Sequence, residues 1–260
     1  MASVTQRVSQ VKQPFGGYIK PSGFDKIQLK DNVILFPFEN ISASTVGIAV
    51  DYLTRLAVGQ TRDNAFQVSL AGAEVCERLT SLPARAMAYK YLNKITGLDD
   101  NSIINTVMLV RNDVWLRNPE SAIKSLSSPI TIPSKETIAN IRTMVNRGLN
   151  FFSTYGPVIS TGFTFEPYGY TSIITSGDVD FLTKDTMWNF KVSKRDITSK
   201  HTLQILIYYI MGKHSGNNIF RSINKIGFFN PRLNRVYKLD IQKIPESTIQ
   251  KISRDIIGYT

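Results

Sequence analysis

Cysteine is almost missing from this chain. Cys76 is the only one in 260 residues, so no internal disulfide can form and a reducing, cytoplasmic setting is expected. Histidine is nearly as scarce, with His201 and His214 alone, and two histidines with one cysteine cannot build a structural zinc site. No stretch approaches the roughly 18 apolar residues that a bilayer span needs, so no membrane association is expected. The opening residues lack the apolar core of a signal peptide. There is no Walker-type loop, no dinucleotide-binding glycine fingerprint, no internal repeat and no low-complexity tract.

Positive charge, by contrast, is plentiful. Thirty-one Lys and Arg against twenty Asp and Glu give a net charge of +11. Such an excess suits a polyanionic partner, nucleic acid first. It is also uneven: between positions 184 and 251 thirteen basic residues stand against four acidic ones. At 42% hydrophobic, the chain can bury one large core or two small ones.

The first thirty residues hold Pro14, Gly16, Gly17, Pro21 and Gly23 and read as an extended arm laid over the body. The run NVILFPF (32–38) suggests a short strand. Helical periodicity then dominates to about residue 155, as in STVGIAVDYLTRLAVG and DNAFQVSLAGAEVCERL, with Ser134 as an N-cap for a helix ending at Gly156. From residue 157 the composition turns to Thr, Ile, Val, Phe and Tyr punctuated by Gly and Pro, as in an antiparallel meander. A helix (SKHTLQILIYYIMGKH), a hairpin (KIGFFN, PRLN, RVYKLDIQKI) and a last short helix follow. The expected class is α+β (α/β), divided into an arm (1–30), a helical region (31–155) and a sheet-containing core (156–260) that together make one compact unit.

Residues 177–194, GDVDFLTKDTMWNFKVSK, concentrate the chemistry. A strand through positions 176–182 would set Asp178 and Asp180 on one face, because side chains alternate with period two. On the returning strand Asn189 and Lys191 would share a face, while Trp188, Phe190 and Val192 point away from it. Acidic and amide oxygens facing a lysine suit a divalent cation together with a phosphodiester. Further on, Gln204 and Tyr208 stand one helical turn apart and can face the same site.

This order of residues resembles the PD-(D/E)XK nuclease superfamily, in particular its RecB-like branch. Gly177-Asp178-Val179-Asp180 is similar to the Gly-x-x-Asp of that branch. Asn189-Phe190-Lys191 falls on its (D/E)-x-K, and Gln204 with Tyr208 on its Gln-x-x-x-Tyr. The resemblance implies a restriction-endonuclease-like mixed sheet flanked by helices and DNA hydrolysis with Mg²⁺ or Mn²⁺. It implies Asp180 as metal ligand, Lys191 as the residue assisting the attacking water, and Gln204 and Tyr208 as supports.

The departure is Asn189, which stands where the family has its second acid. An amide oxygen can ligate a hard cation but brings no charge and cannot act as a base. Three origins account for it: a deliberate Asp→Asn replacement, natural loss in a binding-only protein, or transfer of the second carboxylate to Asp178. The alternative function is therefore a catalytically inactive DNA-binding protein that keeps the nuclease fold.

Other candidates have weaker support. Glu166, before a Pro-Tyr-Gly turn, could bring another metal-binding carboxylate. Glu74 and Glu77 qualify by chain order, although an exposed helix face explains them as well. His201 could touch phosphate, with helix capping the plainer reading, and His214 suits a helix C-terminus. Lys194, Arg195, Lys200, Arg221, Lys225, Arg232 and Arg235 are candidates for contacts to the DNA backbone. Phe228 and Phe229 read as core, and Tyr168 and Tyr170 as either core or surface. A homo-oligomer is compatible with the sequence, since cutting both strands would favour a dimer.

Overall fold

The computed structural model describes residues 2–124, 126–127, 129–177 and 179–259. In chain order its elements are β1 (Ala2–Ser3), α1 (Val4–Gln10), β2 (Asp25–Gln28), α2 (Ala43–Ala57), α3 (Arg62–Ala65), α4 (Gln67–Thr80), α5 (Ala84–Leu92) and α6 (Asp100–Val110). They continue with α7 (Asp113–Arg117), α8 (Pro119–Lys124), α9 (Lys135–Tyr155), β3 (Ser160–Phe163), β4 (Ile174–Ser176), β5 (Val179–Leu182) and β6 (Thr186–Phe190). The last are α10 (Ser199–His214), β7 (Lys225–Asn230), β8 (Arg235–Asp240) and α11 (Glu246–Ile252). The fold is mixed α+β, and the chain forms two compact units, 1–31 with 151–260 and 32–150.

The first unit is built on a six-stranded mixed sheet in the order β2-β8-β7-β6-β5-β3. Strands β3, β5 and β6 run antiparallel in turn, and β7 with β8 forms the expected hairpin. β6 and β7 are parallel, which requires a crossover, and α10 is that crossover. Alternation along β6 divides the sheet's two faces. Trp188 and Phe190 meet an aromatic layer around Phe151, whose ring stacks on Phe229 at 4.5 Å and meets Trp188 edge-on at 4.8 Å. Met187 belongs to the other core, with Leu182, Phe228 and the residues of α10.

α10 is apolar almost all round, with Leu203, Ile205, Leu206, Ile207 and Met211 fully buried. A helix of that kind must be covered on both sides. One cover is the sheet; the other is α1, whose Val4 and Val8 join the same core. The N-terminal segment is therefore not an extended arm. Ser3 and Gln6 cap α1 reciprocally, Gln6 N–H to Ser3 Oγ at 3.2 Å and Ser3 N–H to Gln6 Oε1 at 2.8 Å. Arg7 Nε then donates to the carbonyl of Ile256 at 3.0 Å and ties the helix to the C-terminal segment.

Two further expectations are corrected. Residues 176–182 are not one strand: β4 ends at Ser176 and pairs in parallel with β1, in a separate two-stranded sheet. At the break a Cβ on Gly177 would lie 2.7 Å from Val4 Cγ2 and 3.0 Å from Tyr208 Cε1, so glycine lets α1 and α10 close over this point. Residues 32–38 form no strand either. Their backbone is held by side chains of α9, with Asn140 bonding both the N–H (2.8 Å) and the carbonyl (2.9 Å) of Phe36.

In the second unit α2 packs against α6, and Val46, Val50 and Leu53 of α2, Phe66, and Ile103 and Val107 of α6 are buried. Its one deeply buried carboxylate among the described residues, Asp113, accepts from Tyr52 Oη at 2.6 Å and Ser69 Oγ at 2.5 Å. Burial pushes that carboxyl upward, and the two hydroxyls partly offset it.

Candidate functional site

The site is assembled where β5 and β6 separate. Their ladder pairs Phe181 with Trp188 and Leu182 with Met187. One step further the same register sets Asp180 across from Asn189. There the backbone pairing gives way to a side chain: Asp180 Oδ2 accepts the N–H of Phe190 at 2.7 Å. Asp180 is half-buried, and its carboxylate is held at the point where the strands part.

Asn189 follows from the alternation. It shares the α10-facing side of β6 with Met187 and pairs with Phe228 of β7. It is 4% exposed, and its Oδ1 meets no donor within the chain. A buried, unpaired amide oxygen costs about 1–3 kcal/mol, so its presence calls for a reason.

Lys191 continues this face just beyond β6, with its backbone N–H still bound to the carbonyl of Phe229 at 2.9 Å. Its Nζ donates to Gln204 Oε1 at 3.0 Å. Gln204 Nε2 in turn donates to Tyr208 Oη at 3.1 Å and to Thr5 Oγ1 at 3.0 Å. The amide orientation follows from its neighbours, because an ammonium can only donate and must face the carbonyl oxygen. Tyr208 is 3% exposed and stacks on Phe165 at 5.6 Å. Asp180, Asn189, Lys191, Gln204 and Tyr208 are thus brought to one side of the sheet.

Thr5 has no counterpart among the residues singled out from the sequence. The signal that could have found it is the capping pattern Ser3-Val4-Thr5-Gln6, which marks a helix start inside the supposed arm. His201, three residues before Gln204, accepts the N–H of Thr198 through Nδ1 at 3.2 Å. Burial, and then the charge of Lys191, pull its pKa down to about 4. It is therefore neutral near pH 7 and carries its proton on Nε2.

The remaining candidates are dispersed. Asp178 lies outside the described residues. Glu166 is exposed, next to Phe165, which stacks on Tyr208, and on a turn whose Tyr168 carbonyl meets His214 Nδ1 (3.0 Å). Glu74 is exposed and Glu77 pairs with Arg85 at 3.0 Å, both in the helical unit. His214 stacks on Tyr259 at 3.7 Å. Phe228 and Phe229 are buried, Tyr168 is exposed, and Tyr170 Oη donates to the carbonyl of Gly177 at 2.8 Å.

The basic candidates divide into two sets. Asn230 binds the carbonyl of Ser193 (2.8 Å) and the N–H of Arg232 (3.0 Å), joining the loop that carries Lys194 and Arg195 to the turn that carries Arg232. Arg235 pairs with Asp196 beside them, and Lys200 is exposed in the first turn of α10. Bonds from Lys26, Tyr237 and Arg235 hold the Asp196 carboxyl down at about 2. These five basic residues share the Lys191 end of the sheet. Lys225 and Arg221 do not: β6 and β7 are parallel, so Lys225 sits opposite Thr186, about 15 Å of strand away. There it pairs with Asp185 in the β5–β6 turn.

Among the described residues no group of three or more His, Cys, Asp or Glu side chains converges. A cavity of about 840 Å³ within the helical unit, walled by Ile48, Met87, Met108 and Trp115, contains none of the predicted site residues. No helix among the described residues is long and apolar enough to cross a membrane. Comparison with family models, with curated proteins and with solved structures gives no match to this chain.

Proposed function

We propose that this chain is built on the PD-(D/E)XK nuclease plan and acts on DNA, with Asn189 as the position that determines whether it cuts. The observation that carries the reading is the buried Oδ1 of Asn189, which meets no donor within the chain, across the β5–β6 register from Asp180 and two residues from Lys191. A hard cation seated there would take the lone pairs of that oxygen.

The donor set fits a sparse Mg²⁺ or Mn²⁺ site, with one carboxylate from Asp180, one amide oxygen from Asn189 and water filling the other positions. When bound, such a cation supplies Lewis acidity toward phosphate and lowers the pKa of a coordinated water. The chain's own residues do the rest. Gln204 fixes the ammonium of Lys191 through a 3.0 Å bond, so its charge is already in place for a phosphate oxygen or an attacking water. Tyr208 and Thr5 fix Gln204 in turn. Lys194, Arg195, Lys200 and Arg232 offer backbone contacts without sequence information.

With asparagine in the second-acid position the set lacks one negative charge, and this favours a second reading, a DNA-binding protein that keeps the nuclease fold without cutting. Replacing Asn189 by Asp separates the two. In the first reading Asn189→Asp cleaves DNA only with Mg²⁺ or Mn²⁺, and adding Lys191→Ala abolishes cleavage. In the second, Asn189→Asp binds DNA and cuts none.

A further inference from the structure

Phe15 is the most exposed large apolar side chain among the described residues, at 103% of its reference area. Single exposed apolar residues are common and need no explanation. This one sits on a built turn. Gly16 and Gly17 hold left-handed backbone (φ 81° and 88°), and Gly17 N–H closes the turn on the Pro14 carbonyl at 2.8 Å. Both stems are clamped to the first turn of α10. Gln13 Nε2 donates to the Ser199 carbonyl at 3.2 Å, and Thr202 Oγ1 donates to the Ile19 carbonyl at 2.7 Å. A Cβ on Gly17 would lie 2.6 Å from Ser199 Cβ, so the turn rests directly on that helix end.

The surroundings are cationic. Lys12 and Lys20 flank the tip and are exposed, the Lys20 stem packs beside Gly16, and Lys200 follows Ser199. The same helix turn leads into His201 and Gln204. An exposed aromatic side chain on a fixed turn, with lysines before and after it in the chain, is the chemistry that stacks on a nucleobase while phosphates are neutralised nearby. We infer that Phe15 is a stacking platform for an unpaired base, so that the nucleic acid engaged by this chain has a single-stranded segment or frayed end at the α10 terminus. This deepens the proposed function and rests on it for the nature of the partner.

The test uses the full chain and two variants. Phe15 makes no core contact, so Phe15→Ala keeps the thermal unfolding profile of the parent. It should weaken binding of a short oligothymidylate roughly 5- to 150-fold and binding of a blunt duplex by less than about 2-fold. In Phe15→Trp the new indole is exposed, whereas Trp115 and Trp188 are buried, so quenching by oligothymidylate reports stacking directly. Equal losses on both nucleic acids, or no loss on either, overturn the inference. So does quenching of Phe15→Trp by phosphatidylserine–phosphatidylcholine vesicles but not by the oligonucleotide, which would make the tip a membrane contact. Because binding is read without cleavage, the two proposals fail separately. Phe15-dependent binding without cutting by Asn189→Asp removes the nuclease and keeps the platform; cutting with Phe15-independent binding does the reverse.

Discussion

Replacing Asn189 by valine should make the protein more stable. The side chain is 4% exposed and its Oδ1 is unpaired, so the folded state carries a desolvated acceptor that costs about 1–3 kcal/mol. Valine removes that cost, suits a strand, and adds apolar burial of about 1 kcal/mol beside Met187 and Phe228. Its slightly greater bulk takes back up to about 1 kcal/mol. The net gain is about 1–4 kcal/mol, or a rise in Tm of roughly 2–16 °C for a domain of this size. Urea unfolding followed by far-UV circular dichroism and by tryptophan emission, to which the adjacent Trp188 contributes together with Trp115, measures it. A second titration with Mn²⁺ gives the functional half: Mn²⁺ raises the Tm of the parent and leaves that of Asn189→Val unchanged. If valine destabilises the protein by more than about 1 kcal/mol, the amide has a structural partner and the explanation of the bare oxygen is wrong.

Other perturbations give equally definite outcomes. Gly177→Ala puts a methyl group within 2.7 Å of Val4 and 3.0 Å of Tyr208, and should lower stability by about 1–3 kcal/mol in chemical denaturation. A neutral result would mean that α1 is not closed over the strand break. His201 has its pKa depressed to about 4 in the fold against about 6.5 when unfolded, so the unfolded state binds more protons between those values. The stabilisation is complete above about pH 6.5 and is lost as the pH falls toward 4, by up to about 3 kcal/mol. His201→Gln should flatten that slope in unfolding curves measured from pH 4 to 7, and an unchanged slope would assign the effect to other groups.

Much of the site could be read from the sequence because strand and helix periods are local rules. Period two on β6 puts Asn189 and Lys191 on one face, and one helical turn separates Gln204 from Tyr208. What escaped depends on long-range contacts. The arm reads as irregular because its Pro and Gly residues outweigh seven helical ones, yet α1 exists because α10 is apolar on the side away from the sheet. The break after β4 comes from packing of Val4 and Tyr208 against Gly177, which no local pattern encodes. The seven basic candidates separated because the parallel pairing of β6 and β7 sets Lys225 beside Thr186, and that pairing is a property of the crossover rather than of either strand.

We propose that one carboxylate separates this chain from a working phosphodiesterase. This is tested by incubating Asn189→Asp, and Asn189→Asp with Lys191→Ala, with single-stranded and duplex DNA in Mg²⁺, Mn²⁺ and EDTA. Cleavage by the single variant is expected in either cation, with none in EDTA and none by the double variant. Absence of cleavage by correctly folded Asn189→Asp on every DNA, or cleavage that survives EDTA or the loss of Lys191, would contradict it.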